Sequence, residues 1–317
     1  MRALLSQLLT DSARRDPQFV VLSADHGYAL FDQLRRERDS QFINVGVAEQ
    51  AMVSVAAGLA RQGFRPVVYG LASFIPIRVL EQIKIDVCFS RLPVIFLGDG
   101  AGLVYSTLGA SHQCAEDLAC LRPMPFIRIF SPCDPEEFRA CYDAAASYQG
   151  PSYIRIGKSD RPVINSAPLG STDPHWVWKQ GGAPASTTRG VRTDACLIAC
   201  GSMVAPAVNA AKTFDVPCLS IPRIKPFAND IDRFIEGFDR LIILEEHSRY
   251  GGLASAIMDA CSENGTRLPH IRALSLEDKF SERCGDYQYA LSEHGLADTQ
   301  IIERVGALLS ANLSGRQ

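Results

Sequence analysis

The sequence predicts an α/β protein with two domains, each containing a mainly parallel sheet flanked by helices. Two observations predict this fold class. Short apolar runs alternate along the chain with longer segments of helical periodicity, an order typical of parallel strands joined by right-handed crossovers. In addition, a chain of 317 residues with 47% apolar and 21% charged residues can form two soluble domains of ordinary size.

The N-terminal domain is predicted to extend over residues 1–165. It opens with leucines at positions 4, 5, 8 and 9, a helical spacing that Asp11 interrupts before the apolar core of a signal peptide could form. Apolar runs then predict strands at residues 19–22, 66–70, 93–97, 126–130 and 153–156. Helical patterns predict helices between them at residues 48–62, 77–89 and 135–148.

The segment 166–190 is predicted to be a linker, because it is rich in Pro, Gly, Ser and Thr and has no sustained period. A second, smaller α/β domain is predicted over residues 191–317. Apolar runs predict its strands at residues 195–199, 216–220 and 241–245, and a helical pattern follows at residues 252–264.

The composition argues against several kinds of partner. The formal net charge is -3 without a long run of one sign, so neither nucleic acid nor an anionic membrane is expected to bind. No segment approaches the ~18 apolar residues that span a bilayer, and a cytoplasmic location is expected. The ten cysteines form no C-x-x-C pair and several lie in apolar runs. They are expected to be buried thiols rather than a disulfide or metal site.

Glu49 lies at the start of the predicted helix 48–62, which is rich in small residues. By itself, an acidic residue in a first turn indicates only a favourable interaction with the helix dipole. The segment 44–50, however, resembles the pyrimidine-binding domain of the transketolase and deoxyxylulose-phosphate-synthase family, where N-x-G-[IV]-x-E-Q opens the same helix. The resemblance runs nearly end to end, through residues 73–74, 78–83, 109–117, 131–137, 150–155, 224–226, 245–247 and 251–252.

This resemblance implies thiamine diphosphate as the cofactor. In the family, the glutamate matching Glu49 hydrogen-bonds N1′ of the aminopyrimidine and favours the tautomer whose imino group removes the thiazolium C2 proton. Phe74 matches an aromatic residue of the pyrimidine pocket, which Ile77 and Arg78 would complete. Asp25 matches an acid near the thiazolium. An ordinary core position for Phe74 and a simple loop position for Asp25 remain open alternatives.

The resemblance also implies substrate contacts. His112 matches a catalytic histidine that contacts the sugar near the reacting carbonyl, and Arg155 and Lys158 match basic residues for the sugar phosphate. The last two could instead be solvated charges at a strand end. Leu108 stands where the family has an aspartate that binds a sugar hydroxyl. We therefore hypothesise a substrate that differs from the usual ketose and aldose phosphates at that carbon.

Two further segments are interpreted against the family pattern. Gly98-Asp99-Gly100 matches the start of the family's magnesium and diphosphate motif, but no asparagine follows it before Asn165, so no metal ligand is expected in this chain. His247, in the segment Glu245-Glu246-His247, is assigned to folding and subunit contact, since the corresponding domain in the family makes no cofactor contact.

Full-length family members carry a diphosphate-binding domain ahead of this region. The resemblance therefore implies a separate diphosphate-binding, transketolase N-terminal-type subunit that holds Mg²⁺, in an α2β2 complex with a self-associated dimer of this chain. The expected activity is transfer of a two-carbon ketol (glycolaldehyde) unit between small sugars or sugar phosphates. A β subunit of a 2-oxo-acid dehydrogenase and a non-catalytic scaffold subunit remain as alternatives.

Overall fold

The computed structural model describes residues 1–158, 160–179, 195–228 and 230–311. Within these residues, twelve strands form two sheets. The strands are β1 (Phe19–Ser23), β2 (Phe42–Asn44), β3 (Arg65–Leu71), β4 (Ile95–Asp99), β5 (Arg128–Phe130), β6 (Ser152–Ile156), β7 (His175–Trp178), β8 (Ala195–Ala199), β9 (Cys218–Ser220), β10 (Arg223–Lys225), β11 (Arg240–Ser248) and β12 (His270–Leu276).

Helices cover both sheets. The α-helices are α1 (Arg2–Arg15), α2 (Asp32–Arg38), α3 (Glu49–Arg61), α4 (Leu80–Gln82), α5 (Asp117–Leu121), α6 (Pro135–Ser147), α7 (Val204–Phe214), α8 (Asp232–Ile235), α9 (Leu253–Asn264), α10 (Tyr287–Glu293) and α11 (Asp298–Ser310). Among the residues described, no helix is both long enough and apolar enough to cross a bilayer.

The two sheets are mainly parallel, which confirms the predicted fold class. The first has the order β10-β5-β6-β4-β3-β1-β2, and only β10 runs antiparallel to its neighbour. The second has the order β12-β11-β8-β9-β7, in which only β7 is antiparallel. Strands β1, β6 and β8 are buried along their whole length, because helices pack on both faces of a parallel sheet.

The predicted linker is partly structured. Strand β7 lies within residues 166–190 and pairs with β9, and the Trp176 ring packs 6.1 Å from the ring of Phe234, centroid to centroid. A four-residue edge strand is too short to show a period, so the sequence pattern does not distinguish it from a linker. Residues 180–190 of the predicted linker lie outside the described residues.

The chain also crosses between the two sheets after residue 191. Strand β10 follows β9 of the second sheet in the chain, but it pairs antiparallel with β5 of the first sheet, with Arg223 opposite Phe130. A strand from the second half of the chain is thus hydrogen-bonded into the first sheet.

Helix α3 and the irregular helix after it lie over one face of the first sheet. Helix α3 buries one face, formed by Met52, Val53, Ala56, Ala57 and Ala60. The predicted helix 77–89 is found at residues 77–88, but it changes from a 3₁₀ turn through α4 to a π-helical turn over Ile83–Cys88. These two elements bring the N-terminus of α3 next to the segment that follows β3.

Most of the cysteines are buried thiols, as the sequence predicts. All ten are free thiols, and eight of them are buried. Burial raises the pKa of several of these thiols, for example that of Cys88 to about 11, so they stay protonated at neutral pH.

Candidate functional site

The predicted cofactor residues lie beyond the carboxyl ends of strands β1, β2, β3 and β4. Asp25 follows β1, Glu49 follows β2, Phe74 follows β3 and His112 belongs to the loop after β4. These strands are neighbours in the order β4-β3-β1-β2 and run parallel. Loops at the carboxyl ends of neighbouring parallel strands share one edge of the sheet, where α/β proteins bind ligands.

Glu49 is the first residue of α3 and is only 6% exposed. Its Oε2 accepts a hydrogen bond of 2.9 Å from Nη1 of Arg78, whose side chain is 46% exposed. Among the residues that the structure describes, no donor reaches Oε1 of Glu49. The carboxylate is therefore held in place by one oxygen, while the other can accept a hydrogen bond from a ligand.

The ring of Phe74 lies between Arg78, the partner of Glu49, and His112. The Arg78 guanidinium lies 3.8 Å from the centroid of the Phe74 ring, and the His112 ring lies 5.4 Å from it, centroid to centroid, at an interplanar angle of 64°. Phe74 is half-buried, which does not fit an ordinary core phenylalanine. Glu49, Arg78, Phe74 and His112 thus form one contiguous group, which we call the Glu49–His112 cluster.

Ile77 and the loop of His112 support this cluster. Ile77 packs against a small buried group formed by Ala72, Ala101 and Cys114. Nδ1 of His112 shares a hydrogen bond of 3.0 Å with the hydroxyl of Ser111. An aromatic wall, a carboxylate with one unpaired oxygen and an imidazole are thereby combined at one sheet edge.

Asn44 organises the turn before α3. Its Oδ1 accepts hydrogen bonds of 3.0 Å from the backbone amides of Asp25 and Gly46, and its Nδ2 donates to Oδ1 of Asp25 over 3.1 Å. Asp25 has a φ of 54°, a left-handed conformation that asparagine and aspartate tolerate better than most residues. The asparagine of the N-x-G pattern thus couples the β1 and β2 loops.

Sequence reasoning missed His26. Its ring is half-buried, and burial lowers its pKa, while the nearby carboxylates of Asp99, Glu49 and Asp25 oppose that shift. The positive charge of a protonated His112 adds to the lowering. His26 therefore lies within electrostatic range of the cluster, and its position directly after Asp25 was the available signal.

Leu108 and Lys158 lie in accessible positions. Leu108 ends a single 3₁₀ turn, Ser106–Leu108, and is 54% exposed, so its side chain is available to a ligand or a partner. Lys158 is partly exposed and forms an ion pair of 3.1 Å with Asp160. Its Nζ also lies 5.6 Å from the centroid of the Tyr287 ring in the second domain.

Arg155 is placed differently from the expectation. It is 2% exposed, and its Nε donates to the two carboxylate oxygens of Asp117 over 3.1 and 2.8 Å. Its Nη2 donates to the backbone carbonyl of Glu246 over 2.7 Å. The prediction that Arg155 binds a sugar phosphate is therefore corrected, because its guanidinium is buried at the junction of the two domains.

Glu246 and His247 belong to the same junction. Oε1 of Glu246 accepts from the amide of Leu103 over 2.6 Å, and Oε2 accepts from the Tyr287 hydroxyl over 2.6 Å. His247 is fully buried, and burial lowers its pKa to about 4, so it is neutral at pH 7. The assignment of this element to folding fits the burial of His247, and its assignment to subunit contact stays a prediction.

The Gly98-Asp99-Gly100 segment is packed by aromatic side chains. The hydroxyls of Tyr69 and Tyr105 donate to Oδ2 of Asp99 over 2.6 and 3.2 Å. A Cβ at Gly98 would lie 2.5 Å from the hydroxyl oxygen of Tyr153, so this glycine serves close packing. These contacts support the interpretation as a structural turn.

Comparison with known proteins shows two family matches. Residues 1–162 match the family model for the transketolase pyrimidine-binding domain, and residues 185–279 match that for the transketolase C-terminal domain. One subunit of the apulose-4-phosphate transketolase of Phocaeicola vulgatus is 30% identical over 95% of this chain and 96% of its own length. The 1-deoxy-D-xylulose-5-phosphate synthase of Cupriavidus necator is 33% identical over 93% of this chain but only 46% of its own length.

Solved structures agree in fold. A split-gene transketolase described as an inactive β4 tetramer superposes with a TM-score of 0.81 and 27% identity, over 98% of this chain and 97% of that chain. The transketolase of Leishmania mexicana superposes with a TM-score of 0.78, over 46% of its length, and at 18% identity it shows the fold alone. The chain therefore belongs to the transketolase family and contains its pyrimidine-binding and C-terminal domains.

Proposed function

We propose that this chain is the pyrimidine-binding subunit of a thiamine-diphosphate-dependent transketolase, and that a separate chain binds the diphosphate. The observation that carries the proposal is the Glu49 carboxylate, which is buried and held by Arg78, whose guanidinium in turn lies 3.8 Å from the centroid of the Phe74 ring. The full-length similarity to one subunit of a transketolase made of separate chains supports the division into two chains.

The cluster fits the aminopyrimidine half of the cofactor. Thiamine diphosphate, when bound, supplies an acidic thiazolium carbon that attacks carbonyl groups. Glu49 would hold a proton at N1′ of the aminopyrimidine through its unpaired Oε1, because Oε2 is already engaged by Arg78. Phe74 and Ile77 would contact the flat ring, and the exposed carboxylate of Asp25 would lie toward the thiazolium.

The substrate would approach from the loop after β4. His112 would donate or accept a hydrogen bond at the reacting carbonyl of a sugar or sugar phosphate, and Lys158 would attract the phosphate. The reaction would transfer a two-carbon ketol unit from a donor to an aldehyde acceptor. The Mg²⁺ and diphosphate would be held by the partner subunit in an α2β2 complex, in the cytoplasm.

Calorimetry with the partner subunit tests this division of labour. We expect thiamine diphosphate to bind measurably to the mixture of the two purified chains with Mg²⁺ present, and to neither chain alone. Heat release on titration into this chain alone, with the same affinity as the mixture, would contradict the split site. Acyl transfer to lipoamide in place of transfer to an aldose would instead favour the dehydrogenase alternative.

The leucine at position 108 is expected to affect which sugar phosphates the complex turns over. With wild-type complex, turnover of xylulose 5-phosphate plus ribose 5-phosphate is expected to be slow, because leucine leaves a sugar hydroxyl without its partner. Leu108→Asp is expected to raise kcat/KM for this pair roughly five- to a hundredfold, since an unmet hydrogen bond costs about 1–3 kcal/mol.

A matched control exists one residue away. Thr107→Asp adds the same charge to the same exposed turn and is expected to leave kcat/KM unchanged. Equal gains in both variants would indicate a general charge effect. Wild-type turnover of these substrates at the rate of an ordinary transketolase would contradict the role of Leu108.

A further inference from the structure

The second domain contacts the loop that carries Leu108 and His112. We call residues 103–113 the substrate loop and residues 277–286, between β12 and α10, the C-terminal loop. Nε2 of Gln113 donates to the hydroxyl of Ser281 in the C-terminal loop over 3.0 Å. The same nitrogen lies 3.3 Å from the hydroxyl of Ser106, at the opposite end of the 3₁₀ turn from Leu108. Gln113 therefore joins the substrate loop to the second domain.

Ser281 is in turn held by a buried histidine. His294 is 2% exposed, and its Nδ1 accepts from the backbone amide of Glu277 over 3.3 Å. Burial lowers the pKa of His294, so the ring is neutral at pH 7 and its proton resides on Nε2. Nε2 lies 3.4 Å from the Ser281 hydroxyl and donates to it. The Ser281 oxygen thus has a fixed position from which to accept the Gln113 proton.

Two backbone features bring the loops together. The amide of Gly285 donates to the carbonyl of Ser106 over 3.4 Å. Gly109 has a φ of +79°, and a Cβ at this position would lie 3.1 Å from Sγ of Cys284, so a glycine between Leu108 and Ala110 permits the approach.

A cavity of about 300 Å³ beside these contacts is lined by Gln113 and His294, among others. The substrate loop would have room to move if the Gln113 contact were lost.

We propose that Ser281 is a positioning residue, which sets the place of His112 and Leu108 for the sugar substrate by fixing Gln113. The proposal rests on the function proposed above and extends it, because it assigns a part in substrate recognition to the second domain. Glu49 and Phe74 contact neither Gln113 nor Ser281 among the described hydrogen bonds and ring contacts, and Phe74 meets the substrate loop through the His112 ring, so cofactor binding should depend on this link far less than substrate binding does.

The test is Ser281→Ala in the reconstituted complex. We expect KM for the sugar acceptor to rise about two- to tenfold, the effect of one lost hydrogen bond, with a smaller change in kcat. The Kd for thiamine diphosphate is expected to change much less than the KM for the sugar. Hydrogen exchange of the amides in the substrate loop is expected to become faster, and Ser281→Thr, which keeps the hydroxyl, should restore wild-type behaviour.

Two comparisons make the result decisive. Gln113→Ala combined with Ser281→Ala should be no worse than Gln113→Ala alone, because both remove the same link. Ser292→Ala removes an exposed hydroxyl of the same domain, which donates to the Tyr289 carbonyl, and should change nothing. Effects that multiply in the double variant, or a Ser281→Ala complex identical to the Ser292→Ala control, would overturn the proposal.

Failure of the proposed function would give a different result from failure of the positioning role alone. In that case the wild-type complex itself would have no thiamine-dependent transfer activity, and the positioning role would fall with it. An active wild-type complex whose substrate loop exchanges at the same rate after Ser281→Ala would overturn the positioning role alone.

Discussion

Replacing Glu49 with alanine is expected to lower thiamine-dependent turnover of the reconstituted complex by at least about a hundredfold, the scale of a lost acid–base group. The physical reason is that no other carboxylate among the described residues replaces it at the start of α3. Assembly should survive, because the Arg78 side chain that loses its partner is 46% exposed and remains hydrated.

The measurement combines initial rates with size-exclusion chromatography of the complex. Glu49→Gln should also be inactive, since an amide keeps the shape but cannot take up a proton reversibly. Glu81→Ala, an exposed carboxylate on the neighbouring helical segment, serves as the matched control and should retain full activity. An active Glu49→Ala complex would refute the catalytic role and favour the scaffold alternative.

The second large effect is expected at the domain junction. Arg155→Met should lower the free energy of unfolding by about 3–5 kcal/mol, because removal of one partner leaves a buried charge uncompensated. Asp117 is completely buried, and among the described side chains it would keep the hydrogen bond of 2.8 Å from the Tyr153 hydroxyl and the neutral His247 ring, whose Nε2 lies 3.9 Å away. The Glu246 carbonyl would lose a donor as well.

Urea denaturation of the purified chain measures this loss. Arg233→Met is the matched control, because that arginine is 79% exposed and lies 3.7 Å from Asp230, so its loss should cost at most about 1 kcal/mol. Adding Asp117→Asn to Arg155→Met should recover part of the stability by removing the buried charge. A loss at Arg155 no larger than that at Arg233 would show that the buried pair does not hold the domains together.

Much of the fold could be predicted from local patterns. The apolar runs at 195–199 and 153–156 coincide with β8 and with most of β6, because a strand buried on both faces must be apolar throughout. The 44–50 segment identified Glu49 because one turn and one helix start contain the whole pattern. Such features depend on residues that are near each other in the chain.

The predictions failed where the environment comes from distant segments. Arg155 looked like a strand-end cation, yet it is buried by Asp117 and by the β11 backbone, 38 and 91 residues away. Strand β10 belongs by sequence to the second domain and pairs with the first sheet. Neither placement leaves a local signal, since burial of a charge depends on which surfaces pack together.

The sequence by itself therefore determined the fold class, the family and the position of Glu49, all of which are encoded by periodicity and by short motifs. Only the tertiary structure decided that Arg78 contacts both Glu49 and Phe74, that Arg155 joins the domains, and that Ser281 reaches Gln113 across 168 residues. The physical reason is that a hydrogen bond requires its two atoms to lie within about 3 Å, and only the packed fold brings such distant residues together.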